Sequence, residues 1–394
     1  MTTAPQDDSP DFDAVAAAEA LAPALQARAE ETEAARCVSA QSIADMRSAG
    51  LLRMGQPSHL GGGEVPLDEI VGAVAAMARG CASTAWVGGI YNDHSITIGM
   101  FDPRAAQDIW GDNPDALVSA GFTPGGVAER VDGGWTLSGT WSWSSGCDHA
   151  DWFMLVGLLP DSEGPTPIPT FCLVERKDGR IDDNWRVMGM CGTGSKNIVI
   201  DNAFVPDHRV MPMHLTNEGA DAPGWQDLAP LYRIPRSAAV PFILAAPSLG
   251  VAEGMLALHL EQFGNYDVRN NRVAGLPTMQ MHVAEAAAEI DCARLLMLRD
   301  TSEFMTAARA GRAVTMAERA RGRRDQAYMV ALCRRAVDRL FTAAGGGGIF
   351  RDNEMQRKFR DIHALAGHMA LNWDIAGTTY GRVAFGLDPA TPLI

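Results

Sequence analysis

Three consecutive zones of the sequence differ in the spacing of their apolar residues, and this restricts the fold more than any other feature. Residues 12–116 are rich in alanine with apolar residues at helical spacing, interrupted by the turn SHLGGGEVP. Residues 117–212 hold short segments of β-branched and aromatic residues separated by Gly, Pro and Asp, which is typical of strands. Long helical patterns return over residues 231–387. The pattern predicts an α+β protein with helices on both sides of a β-domain.

The zones predict three domains: an N-terminal helical domain at 1–116, a central antiparallel β-barrel or sandwich at 117–225, and a C-terminal four-helix bundle at 226–394. Long helices joined by short loops are typical of such bundles. Residues 353–385 are predicted to form a single long helix. Another long helix carries an apolar stripe at steps of three and four. The stripe consists of Val283, Ala287, Ile290, Ala293 and Met297.

Charge and cysteine usage exclude several classes of partner. The 394 residues carry a formal net charge of -15, which argues against binding to nucleic acid phosphates. The seven cysteines include no CxxC pair, so we expect a reducing cytoplasm and no disulfide framework or structural metal. We expect neither a signal peptide nor a membrane span, because no apolar run approaches the ~20 residues needed to cross a bilayer. The basic run at 319–324 is predicted to form a solvated or intersubunit face.

Familiar catalytic and nucleotide-binding motifs are missing or incomplete. GTGSKN at 192–197 lacks the third glycine of GxGxxG and opens onto the strand-like NIVI, which argues against a nicotinamide-binding turn. The sequence contains neither GxxxxGK[ST] nor the GxSxG of serine hydrolases. On a helix, His363 and His368 would point about 140° apart, which is unsuitable for two ligands of one metal. Any redox cofactor must therefore be held by a different scaffold.

Three segments together resemble the acyl-CoA dehydrogenase fold, in the right order and over essentially the whole chain. WTLSGTWSWSSGCDHADWFMLVG is similar to the strand of that family that lies against the flavin ring. RVMGMCGTGSKNIVIDNAFVPDHRV matches its G-x-R-G-[ST] segment, and AAGGGGIFRDNEMQRKFRD matches its glycine turn and following helix. The resemblance implies a helical domain, a β-domain, a C-terminal four-helix bundle and a flavin cofactor.

Within that fold the chain is more similar to flavin-dependent monooxygenases of two-component aromatic hydroxylases, such as 4-hydroxyphenylacetate and 3-hydroxy-9,10-seco-steroid hydroxylases. Asp352 stands where many acyl-CoA dehydrogenases carry a catalytic glutamate, and it precedes the N-x-x-Q-R-x-x-R-D pattern of the hydroxylases. The S-S-G-x-x-x-A-x-W turn is also theirs, as is a histidine seven residues after Asp361, here His368. Cys191 departs from the family, which usually has arginine there.

The resemblance places Ser145 at the flavin N5, where its hydroxyl would stabilise a C4a-hydroperoxyflavin, with Ser144 beside it. Such an adduct decays to hydrogen peroxide when water reaches it, so the site needs a dry aromatic wall. Trp143 and Trp152 could form this wall. The structural alternative is that these tryptophans belong to the core of the β-domain and that the serines only begin a turn.

Two histidines are implied on the substrate side. His368 matches a histidine that faces the substrate hydroxyl in these hydroxylases, and a near-neutral imidazole could accept or share a phenol proton there. His94 matches a second catalytic histidine. Trp86 and Tyr91 would lie on the same helix as His94 and line the substrate pocket. Packing between the N-terminal helices and the β-domain would explain these residues equally well.

The remaining flavin contacts are implied less specifically. SAGFTPGG is the counterpart of a flavin segment of the family but lacks its glutamate. Arginines in YDVRNNR resemble cations that meet the flavin phosphate across a subunit boundary, and the glycine run could let backbone approach the same phosphates, although a helix C-cap would look identical. The residues concerned are Phe122, Thr123, Arg269, Arg272, Gly346 and Gly347.

The resemblance therefore implies the oxygenase component of a two-component monooxygenase. It would use molecular oxygen and reduced FMN or FAD, delivered by diffusion from a separate flavin reductase, to hydroxylate a small phenolic or fused aromatic substrate. A homotetramer formed through the C-terminal bundle is also implied. The alternatives are acyl-CoA dehydrogenase-type oxidation with Asp352 as base, oxygenation of nitrogen or sulfur in a non-phenolic substrate, and a flavin-free structural relative.

Overall fold

The computed structural model describes residues 12–160, 166–221, 224–268, 271–391 and 394. The helices are α1 Ala14–Ala27, α2 Ala29–Ala35, α3 Ala40–Ser48, α4 Leu67–Gly80, α5 Ala82–Ile98, α6 Pro103–Trp110, α7 Arg236–Gly264, α8 Pro277–Arg309, α9 Met316–Ala343, α10 Glu354–Ala366 and α11 Trp373–Ala384. The strands are β1 Val118–Val131, β2 Gly134–Ser144, β3 Trp152–Leu159, β4 Ile168–Glu175, β5 Gly179–Asp182, β6 Lys196–Pro206, β7 Val210–Pro212, β8 Asp267–Val268 and β9 Asn271–Arg272. The order is helices, a β-domain and helices again, as predicted.

Helix α5 lies at the centre of the molecule. All 17 of its residues are buried, because α4, α7 and β1 pack against it. Among the described helices, α7 alone is long and apolar enough to cross a membrane, but 89% of its most apolar window is buried inside the protein. Such burial is typical of a core helix. Side chains on α5 are therefore held on several sides by the two helical regions and the sheet.

One seven-stranded sheet forms the β-domain, with the strand order β5-β6-β2-β1-β3-β4-β7. The predicted antiparallel arrangement has one exception in this sheet, since β1 and β3 run parallel. The chain leaves the β1–β2 hairpin, passes through the turn at 145–151 and adds β3 on the far side of β1. Because β3 passes over β2 and joins the sheet beside β1, it runs antiparallel to β2 and parallel to β1. The turn that makes this crossing contains Ser145.

Apolar clusters cover both faces of the sheet. Trp110 and Phe171 belong to the cluster on the α6 side, and Trp141 and Phe153 belong to the other. Trp141 is fully buried, and its indole Nε1 donates to Val156 O at 2.8 Å. A Cβ atom added to Gly126 would lie 2.3 Å from the Trp141 ring, so this glycine makes room for the indole. The tryptophan pattern therefore partly reflects the core.

The C-terminal helices contain the predicted apolar stripe, with Ile290, Ala293 and Met297 buried along α8. The prediction of one helix over 353–385 is wrong, because α10 ends at Ala366 and a 3₁₀ turn separates it from α11. Asn372 begins α11, and its side chain accepts a hydrogen bond from Ile375 N at 3.1 Å. His368 lies in this break and not on a long helix.

The basic run at 319–324 does not form a solvated face. Arg323 is buried, and its guanidinium donates to Ala370 O at 2.6 Å. Arg321 and Arg324 pair with the buried carboxylates of Asp300 and Asp325. Arg321 and Arg324 are therefore neutralised inside the bundle. Arg323 links the turn that carries His368 to α9.

Candidate active site

Three predicted site residues from different parts of the chain meet at the end of β2. Trp86 comes from the first turns of α5, Ser145 follows β2, and His368 lies between α10 and α11. The Trp86 indole Nε1 donates to Ser145 Oγ at 3.2 Å. The rings of Trp86 and His368 meet edge to face, with 5.6 Å between their centroids. A hydroxyl, an indole edge and an imidazole thus share one location.

The turn that presents Ser145 is held rigidly from behind. Gly146 has a φ of 71°, and its amide donates to Thr193 O at 2.8 Å. The Tyr91 hydroxyl donates to Gly146 O at 2.6 Å, and Tyr91 is 1% exposed. Tyr91 therefore supports the turn, and its place on the substrate side stays a prediction.

Ser144 faces away from Ser145. Its hydroxyl lies 2.6 Å from Ser119 Oγ, which itself donates to Ser145 O at 2.8 Å. Since each hydroxyl carries one proton, the proton between the two hydroxyls must come from Ser144. Ser144 is also fully buried. Its side chain therefore supports the fold, and a flavin contact from this hydroxyl stays a prediction.

The two tryptophans predicted to form a dry wall have different environments. Trp152 is buried in the cluster on the α6 side, with the Arg209 guanidinium 4.7 Å from its ring centroid. It is packed in the core, as the structural alternative expects, and its part in a wall around a flavin stays a prediction. Trp143 is 67% exposed and has a φ of 63°, an unusual conformation for an aromatic residue. Its outward position follows from a register shift between Trp141 and Ser144 in the pairing of β2 with β6.

His94 presents a buried acceptor atom. Its Nδ1 lies 2.6 Å from Val118 O, and because a carbonyl only accepts, Nδ1 carries the hydrogen. Burial lowers the pKa of His94, which favours the neutral ring. Nε2 is then an acceptor, and it has no hydrogen-bond partner among the described residues. The ring packs against Phe122, with 5.7 Å between centroids.

A buried ion pair next to His94 has no counterpart among the predicted residues. Asp93 Oδ2 lies 3.3 Å from an Arg236 guanidinium nitrogen and 4.0 Å from His94 Nε2. The Arg236 guanidinium also lies 4.4 Å from the centroid of the Phe122 ring. Asp93 belongs to α5 and Arg236 begins α7. The sequence offered no signal for this pair, because it depends on how two distant helices pack.

His368 is held as a hydrogen-bond donor. Its Nδ1 accepts from Ala370 N at 3.1 Å, so the neutral ring carries its hydrogen on Nε2. The residue is exposed to solvent, but its imidazole is surrounded by many protein atoms. This partial burial of the ring and the positive Arg323 lower the pKa of His368 to about 4. Exposure and dense surroundings occur together when a side chain lines a cleft. Nε2 of the neutral His368 ring is thus a donor, whereas Nε2 of His94 is an acceptor.

The loop at 187–195 connects Ser145 to α10. Asp361 Oδ1 accepts from Met190 N at 2.6 Å, and the Arg360 guanidinium donates to Met188 O at the same distance. Cys191 replaces the usual arginine of this loop. Its thiol donates to Val187 O at 3.1 Å, and burial raises its pKa. Cys191 is therefore uncharged, and Arg360 supplies the cation at this loop.

Replacement of Asp361 by asparagine should change how stability depends on pH. Burial raises the pKa of Asp361 from 3.8 to about 6, although the Met190 N–H favours the charged form. The unfolded chain releases this proton at a lower pH than the native protein does. The free energy of unfolding of the unmodified protein should therefore fall by about 3 kcal/mol relative to that of Asp361→Asn as the pH rises from 4 to 6. Urea unfolding of both proteins at several pH values would measure the difference. Asp352→Asn, at an exposed carboxylate, is the control and should follow the unmodified protein.

The other predicted flavin residues form no hydrogen bond with Ser145, Trp86 or His368 in the described part of the chain. The Arg272 guanidinium instead donates to Gly264 O at 2.9 Å, beside the end of α7. Gly346 and Gly347 lie in an exposed 3₁₀ turn, and a Cβ atom added to either would meet nothing within 4 Å. Thr123 is exposed. Arg269 lies outside the described residues.

Two surface cavities lie away from this cluster. One of about 590 Å³ is lined by Thr140, Arg180 and Asp201 at the β5 edge of the sheet. Another of about 140 Å³ lies between α7 and α8, beside His259 and Met279. Neither brings together the residue types needed for the predicted chemistry, so we place the candidate site at Ser145.

Comparisons with known proteins show the family of the chain. A model of the family "Acyl-CoA dehydrogenase, C-terminal domain" matches residues 242–373. The chain is 37% identical over 381 residues, which are 94% of this chain and 93% of the relative, to the FADH(2)-dependent resorcinol hydroxylase, oxygenase component, of Rhizobium sp. (strain MTP-10005).

Solved structures are similar over nearly the whole chain. The crystal structure of 3-HSA hydroxylase from Rhodococcus sp. RHA1 has a TM-score of 0.92 and 33% identity, and covers 97% of this chain and 99% of its own. XiaF from Streptomyces sp., in complex with FADH2 and glycerol, has a TM-score of 0.88 and 28% identity over 96% of both chains. The protein therefore belongs to the family of oxygenase components of flavin-dependent monooxygenases with the acyl-CoA dehydrogenase fold.

Proposed function

We propose that this chain is the oxygenase component of a two-component monooxygenase that hydroxylates a small phenolic or fused aromatic substrate ortho to its hydroxyl group. The observation that carries the proposal is the meeting of Ser145, Trp86 and His368 at the end of β2. The relative named for resorcinol, a phenol, supports the substrate class.

The cofactor is reduced FAD or FMN, and the names of two relatives, which specify FADH2, favour FAD. Bound reduced flavin supplies the electrons that activate molecular oxygen. The cluster suits a flavin because it brings together a hydroxyl from Ser145 and an Nε2–H from the exposed His368. A separate reductase delivers the flavin, since the chain lacks a nicotinamide fingerprint. Further contacts to the flavin are proposed for Phe122, Thr123, Trp143, Arg269, Arg272, Gly346 and Gly347.

The substrate hydroxyl donates to His94 Nε2. This atom is the unpartnered acceptor of a neutral, buried imidazole, and removal of the phenol proton makes the aromatic ring more electron-rich. The Asp93 carboxylate, 4.0 Å from Nε2, would stabilise the imidazolium that results. The Phe122 ring beside His94 supplies an apolar surface for an aromatic substrate.

The residues around Ser145 have two further tasks. The Trp86 indole, which is 8% exposed, keeps water from the Ser145 hydroxyl and fixes its position. The His368 Nε2–H donates toward the reacting oxygen and stays neutral at pH 7, since its pKa is lowered to about 4. Dry surroundings favour oxygen transfer over release of hydrogen peroxide.

We further propose a cytoplasmic homotetramer. The C-terminal region exposes large apolar side chains that an assembly would cover, among them Leu295 at 67%, Phe350 at 65% and Phe385 at 85%. All seven cysteines are free, which suits a reducing compartment. Light scattering on the purified protein would give the number of subunits.

A reconstitution assay tests the proposed reaction. The protein is mixed with anaerobically reduced FAD or FMN, and then with oxygenated buffer that contains resorcinol or 4-hydroxyphenylacetate. We expect a catechol-type product only when protein, reduced flavin, oxygen and phenol are all present. NADH with oxidised flavin should yield no product unless a flavin reductase is added. Peroxide release without any hydroxylated product from a panel of phenols would contradict the proposal.

The acyl-CoA dehydrogenase alternative is less well supported. Asp352 is exposed in the single chain and lies in a turn, whereas a base that abstracts a carbon-bound proton is usually desolvated. Anaerobic reduction of bound flavin by an acyl-CoA would favour this alternative. Oxygenation of nitrogen or sulfur needs no phenol proton, so it would make the acceptor at His94 dispensable.

A further inference from the structure

A chain of buried hydroxyl groups lies behind Ser145. Ser145 Oγ and Ser195 Oγ are 2.7 Å apart, and Ser195 Oγ and Thr193 Oγ1 are also 2.7 Å apart. Thr193 Oγ1 donates to Met190 O at 2.9 Å. Ser195 is 5% exposed and Thr193 is 2% exposed. Thr193 also accepts from Gly146 N through its backbone carbonyl, so both its backbone and its side chain meet the turn that carries Ser145.

The direction of every proton in the chain follows from counting. A carbonyl oxygen only accepts, so Thr193 must give its single proton to Met190 O. Thr193 Oγ1 can then only accept from Ser195, and Ser195 can only accept from Ser145. The Trp86 indole is a donor, so Ser145 also accepts from it. The Ser145 proton therefore points away from the cleft, and the hydroxyl has one lone pair left with which to accept.

The far end of the chain is anchored, which makes reversal costly. Met190 has a φ of 55°, and its amide donates to the Asp361 carboxylate. For Ser145 to turn its proton toward the cleft, it would have to break the bond to Ser195 or force Ser195 and Thr193 to rotate as well. The latter would leave Met190 O without its hydroxyl donor. Each lost buried hydrogen bond disfavours the reversed arrangement.

We propose that Thr193 and Ser195 are positioning residues that hold Ser145 as a hydrogen-bond acceptor and so make the site prefer reduced over oxidised flavin. The inference rests on the proposed function. Reduced flavin carries a hydrogen on N5 and can donate to Ser145, whereas N5 of oxidised flavin is an acceptor and would face a second acceptor. An unmatched pair of acceptors weakens binding by the cost of an unsatisfied polar group.

Flavin binding without turnover tests whether the hydroxyl groups of Thr193 and Ser195, here called the relay, hold Ser145 as an acceptor. The dissociation constants of oxidised and anaerobically reduced FAD and FMN are measured for the unmodified protein and for Ser195→Ala, Ser195→Thr and Thr193→Val. We expect the unmodified protein to bind reduced flavin more tightly. Ser195→Ala and the isosteric Thr193→Val free the Ser145 proton, so the preference should fall about five- to tenfold, chiefly through tighter binding of oxidised flavin. Ser195→Thr keeps the hydroxyl and should retain the preference.

The outcomes separate the relay from the proposed function. If the unmodified protein prefers reduced flavin and both hydroxyl deletions leave the ratio of the two constants unchanged, the relay is wrong and the proposed function stands. If the substitutions weaken the binding of oxidised and reduced flavin equally, the hydroxyls only support the fold. Failure of the unmodified protein to bind either form would overturn the proposed function and the inference with it.

Discussion

Replacement of Ser145 by alanine is expected to separate oxygen consumption from hydroxylation. The variant should still consume oxygen in the presence of reduced flavin, but the product formed per oxygen consumed should fall roughly 10- to 100-fold, as for loss of a strong hydrogen bond worth about 1.5–3 kcal/mol. The physical reason is twofold. The flavin loses its hydrogen-bond partner, and the Trp86 indole N–H loses the acceptor that holds it at 3.2 Å. An oxygen electrode combined with chromatography of the product measures the ratio.

Ser138→Ala is a suitable control for this experiment. Ser138 lies on β2, the strand before Ser145; it is exposed and uses its hydroxyl to accept from Asn202 N at 2.8 Å. Its removal should leave product per oxygen unchanged. Added catalase should return half of the oxygen that Ser145→Ala consumes in forming hydrogen peroxide, because two molecules of peroxide yield one of oxygen. If Ser145→Ala binds flavin and forms as much product per oxygen consumed as the unmodified protein, this hydroxyl plays no part in protecting the reaction.

The order of elements could be predicted from the sequence because periodicity reports burial directly. The stripe through Ile290 and Met297 has one apolar residue per turn, and only a long helix packed on one side explains it. The break between α10 and α11 was missed because the apolar spacing continues across it. Its signals are local: Gly367 follows the end of α10, and Asn372 caps α11. Capping residues are informative only when a break is already suspected.

The parallel pairing of β1 with β3 could not be predicted for a different reason. A seven-residue turn is short enough for an antiparallel connection, and the sequence does not say which side of β1 the next strand will join. The structure shows that Gly146 and Tyr91 hold this turn against α5. The crossing depends on a helix earlier in the chain, so strand patterns alone cannot reveal it.

Within the candidate site, the resemblance located side chains but not the direction of their hydrogen bonds. Ser145 and His368 stand at positions that motifs mark. The free atom of each histidine depends instead on which carbonyl or amide lies beside the ring, Val118 O for His94 and Ala370 N for His368. These partners make Nε2 of His94 an acceptor and Nε2 of His368 a donor. Ser195 was visible as a hydroxyl between Gly194 and Lys196, but its bond to Ser145 requires the folded loop.

Replacement of His94 by asparagine is expected to lower kcat/KM for a phenolic substrate roughly 10²- to 10⁴-fold, the range lost when a general base is removed. The asparagine amide can replace Nδ1 as donor to Val118 O, so the structural hydrogen bond is kept while the acceptor at Nε2 is removed. Because burial lowers the pKa of His94, the unmodified enzyme should keep its activity from pH 7 to below 6.5 and lose it only at lower pH. Steady-state rates between pH 5 and pH 8 would show this acid limb, and the variant should lack it.

His363→Gln provides the matched histidine control, because His363 lies on α10 and pairs with Asp338 at 2.7 Å on the outside of the bundle. It should leave both kcat/KM and the acid limb unchanged. Thermal unfolding of His94→Asn must match that of the unmodified protein for the loss of rate to be assigned to the acceptor atom. If His94→Asn turns over phenols at the unmodified rate, Nε2 accepts no proton from the substrate. Oxygenation of a nitrogen or sulfur centre would then be the better explanation of the site, since such a substrate has no phenol proton to remove.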